Sequence, residues 1–154
     1  MSPVELSHSR TFPTTVEAAF DLVLPMPLTQ LFARRYVAIP PITRVDQEGT
    51  WGVLGQQRTI RTSDGGSMRE TLTTLERPHR FGYEIDAITG PNKALVAGVR
   101  GMWTFAEAGT GVEITWAWSI TPTRVGALLM PVFGRLWQGY ARQGMEEIEK
   151  AVRA

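Results

Sequence analysis

Arg58 and Glu70 are the two charged residues whose spacing most directly suggests chemistry. They flank the segment Asp64-Gly65-Gly66, and Asp-Gly and Gly-Gly are typical of hairpin turns because they tolerate positive φ. If the hairpin is symmetric about Asp64, the two side chains face each other; a two-residue turn would offset them by one position. In a pocket the pair could orient a ligand carbonyl or carboxylate, with Glu70 as proton acceptor. The alternative is an ordinary cross-strand ion pair, in solvent or at one end of a pocket, which contributes little energy.

Three further side chains could exchange protons or hydrogen bonds with a ligand. In the strand predicted over 4–12, His8 lies on the same face as Leu6 and Phe12, which should point into the protein. A neutral imidazole in that position could act as acid or base. The alternative for His8 is a hydrogen-bonded histidine near the edge of a sheet. Tyr83 and Tyr140 could donate hydrogen bonds to a ligand oxygen at one end of an apolar site. The catalytic candidates are therefore Glu70, His8 and Tyr83.

The composition excludes several kinds of site. The chain has 154 residues with no cysteine and two histidines, which excludes disulfides, thiolate zinc sites and thiol nucleophiles. The sequence contains no Ser-His-Asp arrangement, metal-ligand spacing or nucleotide-binding glycine motif, so we expect neither a metal nor a cofactor. A formal net charge of +1 gives no reason to expect a nucleic-acid partner.

Length and hydropathy predict one soluble domain over residues 1–154. A chain of this size buries roughly 70% of its unfolded surface, enough for a substantial core. The N-terminal residues lack the apolar core of a signal peptide, and no stretch supplies the ~20 apolar residues of a membrane span. We therefore expect a cytoplasmic protein without stable membrane insertion.

The N-terminal third predicts one strand and two short helices. Alternation of apolar and polar residues predicts a strand over 4–12, which ends at Pro13. Thr14 and Glu17 match a capping box, so a helix should begin there and end before Pro25. A second short helix is predicted over about 28–36.

The remainder predicts an antiparallel sheet followed by a long helix. Turn residues separate six further strands, predicted at 42–48, 56–62, 67–75, 80–88, 96–107 and 112–120. Sequential hairpins favour an antiparallel meander. Apolar residues spaced three and four apart predict that the C-terminal residues form an amphipathic helix. Pro131 either begins this helix or kinks a longer one that starts near Thr123.

One face of the predicted sheet is aromatic and the other is largely polar. This pattern is expected when one side of a sheet is covered, and the C-terminal helix is the long amphipathic element left to cover it. The aromatic side chains either pack as a solid core or also line a hollow between sheet and helix. Glycines on the strands and on the helix favour the hollow, because such a space is hard to fill completely. The aromatic residues on this face are Phe81, Tyr83, Trp103, Phe105, Trp116 and Trp118.

The order of elements and several local segments resemble a known fold family. A strand, two short helices, six strands and a long helix resemble the helix-grip fold of the SRPBCC superfamily, which includes the START-like, birch-pollen-allergen-like and polyketide cyclase/dehydrase proteins. The segments that carry the resemblance are Phe12–Phe20, Gly55–Arg58, Asp64–Glu70, Glu76–Ile85, Gly101–Phe105 and Gly111–Trp116. The resemblance covers nearly the whole chain and implies an α+β fold, with a curved antiparallel sheet of about seven strands wrapped around the C-terminal helix.

The resemblance implies a cavity for a hydrophobic small molecule more firmly than it implies a reaction. Our leading hypothesis is binding or transport of a lipid- or polyketide-like molecule between sheet and helix. A cyclase or dehydratase acting by acid/base chemistry in the same cavity is the alternative, and a fully packed interaction module is a third. The apolar patches could also form dimer contacts. The predicted ligand-binding residues are Arg58, Glu70, Phe81, Tyr83, Trp103, Phe105, Trp116, Trp118, Phe133, Trp137 and Tyr140.

The segment Arg124–Phe133 is apolar and contains both glycine and proline. It could be a flexible entrance flap or a segment that touches a membrane during lipid exchange. Because no lysine-rich face accompanies it, we expect instead the first turns of a buried helix.

Overall fold

The elements follow the predicted order along the chain. The computed structural model describes residues 2–154. Its strands are β1 (Val4–Phe12), β2 (Ile42–Asp46), β3 (Gln57–Thr62), β4 (Ser67–Glu76), β5 (Arg80–Thr89), β6 (Val96–Ala108) and β7 (Gly111–Pro122). Its helices are α1 (Val16–Val23), α2 (Leu28–Leu31) and α3 (Arg124–Arg153), with a 3₁₀ turn at Pro91–Ala94 between β5 and β6.

The seven strands form one antiparallel sheet in the order β1-β7-β6-β5-β4-β3-β2. Successive strands from β2 to β7 are paired as hairpins, and β1 returns to pair with β7 along its whole length, from Val4 opposite Ile120 to Phe12 opposite Val112. The sheet therefore has edges at β1 and β2. This arrangement with its long C-terminal helix confirms the predicted helix-grip architecture.

The helix α1 begins one residue later than the capping box predicts. Thr15 is the N-cap, and its hydroxyl accepts a hydrogen bond from the Ala18 amide at 3.1 Å. The Thr14 amide instead donates to the Phe12 carbonyl at 3.0 Å, which places Thr14 in the turn that ends β1. The predicted Thr14–Glu17 capping box is therefore wrong, although Glu17 still lies in the first turn, where its charge favours the helix dipole.

The helix α2 is a single turn and does not reach Tyr36 as predicted. Its last backbone bond runs from the Phe32 amide to the Leu28 carbonyl. Tyr36 and Ile39 then exchange backbone hydrogen bonds at 3.0 and 2.9 Å, with Val37 at a positive φ of 52°. Because these bonds close a tight turn, the helix cannot continue through residues 36–39.

The helix α3 is the longer of the two alternatives, because it begins at Arg124 and runs through Pro131. The Thr123 hydroxyl caps it by accepting from the Gly126 amide at 2.9 Å. The expectation of a buried helix over 124–133 is wrong, since Gly126 and Met130 are its buried residues while Val125, Leu128, Leu129 and Val132 are exposed. Leu129, Val132 and Phe133 of this segment line a cavity.

The core lies between the concave face of the sheet and the helices. On β7 the alternation is clear: Val112, Ile114, Trp116 and Ile120 are buried, while Glu113 and Thr121 on the other face are exposed. The face that meets α3 also carries the aromatic side chains of β5 and β6. The fold thus gathers the predicted aromatic face around one interior space.

Candidate functional site

A cavity of about 280 Å³ lies between the concave face of the sheet and α3. This volume is close to the lower end of the range of protein ligand sites, roughly 300–1,000 Å³. Most of its lining is aliphatic or aromatic and comes from many elements between Val23 and Tyr140, including α2, the turn at 36–40 and the 3₁₀ turn. The lining side chains with charged, amide or hydroxyl groups are Arg58, Thr62, Glu70, Tyr83, Asn92 and Tyr140. The arrangement suits an apolar molecule oriented by a few polar contacts.

The structure brings nine of the eleven predicted ligand-binding residues to the cavity wall. These nine are Arg58, Glu70, Phe81, Tyr83, Trp103, Trp116, Trp118, Phe133 and Tyr140. They share the concave face of β3–β7 or the facing side of α3. The strand alternation therefore indicated the correct face for most of the wall.

Phe105 and Trp137 do not line the cavity. The Phe105 ring packs against Phe20 of α1, with ring centroids 5.4 Å apart, so α1 covers this end of the sheet. The Trp137 ring packs against Trp116 and Trp118, with ring centroids 4.8 and 5.9 Å apart. Both are buried core residues, at 2% and 1% exposure.

His8 also lies outside the cavity. It sits on the edge strand β1 opposite Trp116 of β7, and its Nδ1 lies 3.0 Å from Oε1 of Gln138 on α3. This is the alternative position expected for a hydrogen-bonded histidine near the sheet edge. Because the side chain is absent from the cavity wall, it is not placed to exchange protons with a ligand there.

Arg58 and Glu70 form an ion pair inside the cavity wall. They are directly opposite each other on β3 and β4, and Arg58 Nε donates to Glu70 Oε1 at 2.7 Å. Their side chains are 5% and 4% exposed, so this is not the solvent-exposed alternative. Arg58 Nη1 also donates to Gln47 Oε1 at 3.2 Å, and its guanidinium lies 3.9 Å from the centroid of the Trp51 ring. The arginine is thus held on three sides.

Burial raises the pKa of the Glu70 carboxyl, although the adjacent Arg58 acts in the opposite direction. Among residues 2–154 its one hydrogen-bond donor is Arg58, through a single nitrogen. A carboxylate can accept several hydrogen bonds, and a buried one that accepts few is poorly compensated for its lost hydration. The Glu70 carboxyl therefore keeps capacity for a further hydrogen bond in an otherwise apolar wall.

Tyr83 accepts two hydrogen bonds from tryptophans. The Nε1 atoms of Trp116 and Trp118 donate to its hydroxyl oxygen at 2.9 and 2.8 Å. Burial raises the pKa of the Tyr83 phenol, and the negative charge of Glu70 adds to this effect. The hydroxyl is therefore neutral at physiological pH and acts in the cavity as a hydrogen-bond group.

Two further residues at the site were missed in the sequence. Trp51 falls between the strands predicted at 42–48 and 56–62, yet it is 2% exposed and its ring lies against the Arg58 guanidinium. Phe32 lines the cavity and stacks on Tyr140, with ring centroids 5.0 Å apart and planes 7° apart. A large aromatic side chain inside a glycine-bearing turn is the signal that could have identified Trp51.

The N-terminal half of α3 forms part of the cavity mouth. Leu129 and Val132 line the cavity and are also 46% and 59% exposed, so they face both the interior and solvent. Leu128, one residue away, is 82% exposed. The segment Arg124–Phe133 is therefore helical, and two of its side chains lie between the cavity and solvent. Within residues 2–154 no helix combines the length and apolar character needed to cross a bilayer.

Comparisons with known proteins agree with this architecture. Residues 3–153 match the family model described as "Polyketide cyclase / dehydrase and lipid transport". A comparison with curated proteins finds no match. In the part of the chain that the structure describes, no group of three histidine, aspartate or glutamate side chains could hold a metal.

Solved structures with the same fold include plant and bacterial proteins. Ara h 8.0201 has a TM-score of 0.64 at 15% identity, over 97% of each chain. Major latex-like protein 151 from Panax ginseng has a TM-score of 0.67 at 12% identity, over 98% of each chain. DynU16, from the dynemicin biosynthetic locus, has a TM-score of 0.63 at 13% identity, over 97% of this chain and 47% of its own. Because the family model matches residues 3–153, nearly the whole chain, this chain belongs to the polyketide cyclase/dehydrase and lipid transport family.

Proposed function

We propose that the protein binds a hydrophobic small molecule, lipid- or polyketide-like, in the cavity between the sheet and α3. The observation that carries the proposal is an interior space of about 280 Å³ whose wall is apolar apart from a few polar side chains. Burial of apolar ligand surface on aromatic rings supplies affinity, and the polar groups set orientation. Leu129 and Val132 at the mouth provide an apolar path from the surface to the interior. These features support a carrier or sensor.

The binding test uses an uncharged fluorescent probe, N-phenylnaphthylamine, titrated into the purified protein. We expect a saturable rise in probe fluorescence with one probe per chain, confirmed by native mass spectrometry. Val99→Phe places extra volume into the cavity wall and should weaken binding at least tenfold. Arg100→Phe, on the exposed face of the same strand, is the matched control and should bind like the natural protein. Absence of saturable binding, or equal affinity of both variants, would contradict the proposal.

A second candidate function is acid/base catalysis on a polyketide-like substrate. The specific observation in its favour is that Glu70, whose pKa is raised by burial, shares the apolar wall with the Tyr83 hydroxyl. A base works best when its pKa approaches the working pH. In a dehydration, Glu70 takes the α-proton of a β-hydroxyketone and returns it to the departing hydroxyl, which leaves as water, while the neutral Tyr83 hydroxyl hydrogen-bonds to the substrate.

The catalytic test follows the conversion of an aryl β-hydroxyketone to the conjugated enone by its absorbance. Under this candidate function Glu70→Gln abolishes turnover while the probe still binds. Glu84→Gln, a change of the same kind on the exposed face of β5, serves as control and should leave turnover intact. Absence of turnover by the natural protein, or equal rates with Glu70→Gln, would leave binding as the function.

A further inference from the structure

The hydroxyl of Tyr83 carries a hydrogen that no described residue accepts. An indole N–H can only donate, so the contacts from Trp116 and Trp118 oblige the Tyr83 oxygen to accept both times. The phenolic O–H therefore cannot be donated to either tryptophan. Within residues 2–154 the Tyr83 hydroxyl makes no other hydrogen bond. A buried donor without an acceptor is costly, which indicates that another molecule accepts it.

The position of Tyr83 fixes where that acceptor must be. Its side chain is 7% exposed, lines the cavity, and lies on β5 between Leu72 of β4 and Gly101 of β6. The ring covers Gly101 so closely that a Cβ there would overlap it. The Tyr83 ring is fixed against Gly101, and its oxygen accepts hydrogen bonds from two indoles. The hydroxyl hydrogen therefore points away from both indoles. The donor is therefore preorganised.

The surroundings of Tyr83 favour an uncharged acceptor over an anionic one. Glu70 is its diagonal neighbour across β4 and β5, since Glu70 pairs with Ile85. At the phenol the charge of Glu70 outweighs that of Arg58, so a second negative charge there would be repelled. The two indole donors polarise the phenol oxygen and strengthen its own O–H as a donor. A ketone oxygen meets these conditions, because it accepts strongly and carries no charge.

We propose that Tyr83 is the specificity-determining donor of the cavity and that the natural ligand presents a ketone oxygen to it. This inference rests on the proposed binding function, because it names the chemical class of the ligand for the same cavity. Tyr140, the other cavity tyrosine with a bonded hydroxyl, differs in that its hydrogen is already donated to the Pro40 carbonyl at 3.3 Å.

The test compares acetylnaphthalene with isopropenylnaphthalene, which has nearly the same shape but lacks the carbonyl oxygen. Both are titrated into the natural protein, Tyr83→Phe and Tyr36→Phe. We expect Tyr83→Phe to lower the preference for the ketone over the hydrocarbon about fivefold, the typical effect of one buried hydrogen bond. Tyr36→Phe is the matched control and should preserve the preference, because Tyr36 is not among the residues that line the cavity.

An infrared measurement on the natural protein provides a second readout that does not depend on any variant folding. The carbonyl stretch of bound acetylnaphthalene should lie below its frequency in an alkane solvent. An unshifted stretch, or an unchanged preference in Tyr83→Phe, would overturn the ketone assignment while leaving the binding function intact. Failure of both molecules to bind the natural protein would instead contradict the binding function on which the assignment rests.

Discussion

Gly101 on β6 lies directly beneath the aromatic ring of Tyr83 on β5. The two residues are paired across the strands, and the absence of a side chain at Gly101 is what allows the ring to lie flat against the sheet. The tyrosine hydroxyl reaches Trp116 and Trp118 from this position. Gly101 is therefore required for the space it leaves, not for its backbone conformation, and that space determines the position of the Tyr83 hydroxyl in the cavity.

Replacing this glycine with alanine should displace the Tyr83 ring and break its bonds to the two indoles. We expect Gly101→Ala to lower the free energy of unfolding by about 1–3 kcal/mol, as overpacking of a core usually does. Gly98→Ala on the same strand is the control, because a Cβ there would meet its nearest atom, the Ile85 carbonyl oxygen, at an ordinary 3.4 Å. Urea denaturation measures both variants. Equal stabilities would show that the ring shifts without cost.

The raised pKa of Glu70 should make its contribution to stability depend on pH. A carboxyl whose pKa is raised in the folded protein binds its proton more tightly there than in the unfolded chain. That contribution is fully present below the ordinary value of 4.5 and is lost as the pH rises through the folded pKa. The natural protein should therefore lose stability relative to Glu70→Gln as the pH increases from 4.5 towards neutrality.

Urea denaturation of the two proteins across this pH range tests the prediction. Exposed carboxylates whose pKa is lowered, such as Asp86 beside Arg69, stabilise with the opposite pH dependence, but they are common to both proteins and cancel in the difference. A relative gain in stability of the natural protein with rising pH would mean that Arg58 outweighs burial.

Removing the arginine of the buried pair should be more damaging than removing both partners. Arg58→Met leaves the Glu70 carboxyl buried without a neighbouring cation. The carboxyl must then either take up a proton or remain as an unpaired buried charge, and both states destabilise the fold. We expect a loss of about 3 kcal/mol of unfolding free energy at pH 7. The double variant Arg58→Met, Glu70→Leu should recover most of it, because apolar side chains of similar volume replace a buried ion pair well. Equal losses in the single and double variants, measured by urea denaturation, would refute this.

His8 should contribute to stability but not to ligand binding. His8→Ala removes the contact with Gln138 and should cost about 1 kcal/mol, the usual net value of one hydrogen bond. Affinity for N-phenylnaphthylamine should stay within twofold of that of the natural protein, since His8 is not on the cavity wall. Gln138→Ala should show the same pattern. A large loss of affinity in His8→Ala alone would place the histidine in the site after all.

Element types and order could be predicted from local pattern, but some boundaries could not. β1 was predicted with its observed bounds, because its alternation is uninterrupted and Pro13 ends it. The start of α1 shifted by one residue, since adjacent threonines are equally good caps by type and the bond from the Thr14 amide to Phe12 decided between them. The second helix was predicted too long, because the Tyr36–Ile39 turn depends on a backbone pairing that leaves no periodic signal.

Residues of the candidate site could be predicted where local strand pairing positions them, but not where a distant segment packs against them. The hairpin signal left two registers open for Arg58 and Glu70, directly opposite or offset by one position, and the structure has them directly opposite. Phe105 lies on the same face of β6 as Trp103, but α1 covers that end of the sheet. Its ring therefore packs against Phe20 instead of lining the cavity. Trp51 was missed because its burial under Arg58 arises from a loop that folds back on the sheet.

Local residue patterns were sufficient to predict the seven strands, the long C-terminal helix and the face of the sheet on which the aromatic rings lie. Side chains along a strand alternate with a period of two, and that pattern is visible in one dimension. The tertiary structure decided where along this face the space opens, which rings fill the core, and that Tyr83 keeps a free hydrogen between two donating indoles. Period-two alternation assigns a residue to a face of the sheet. Position on a curved surface, by contrast, depends on which distant segment packs against it.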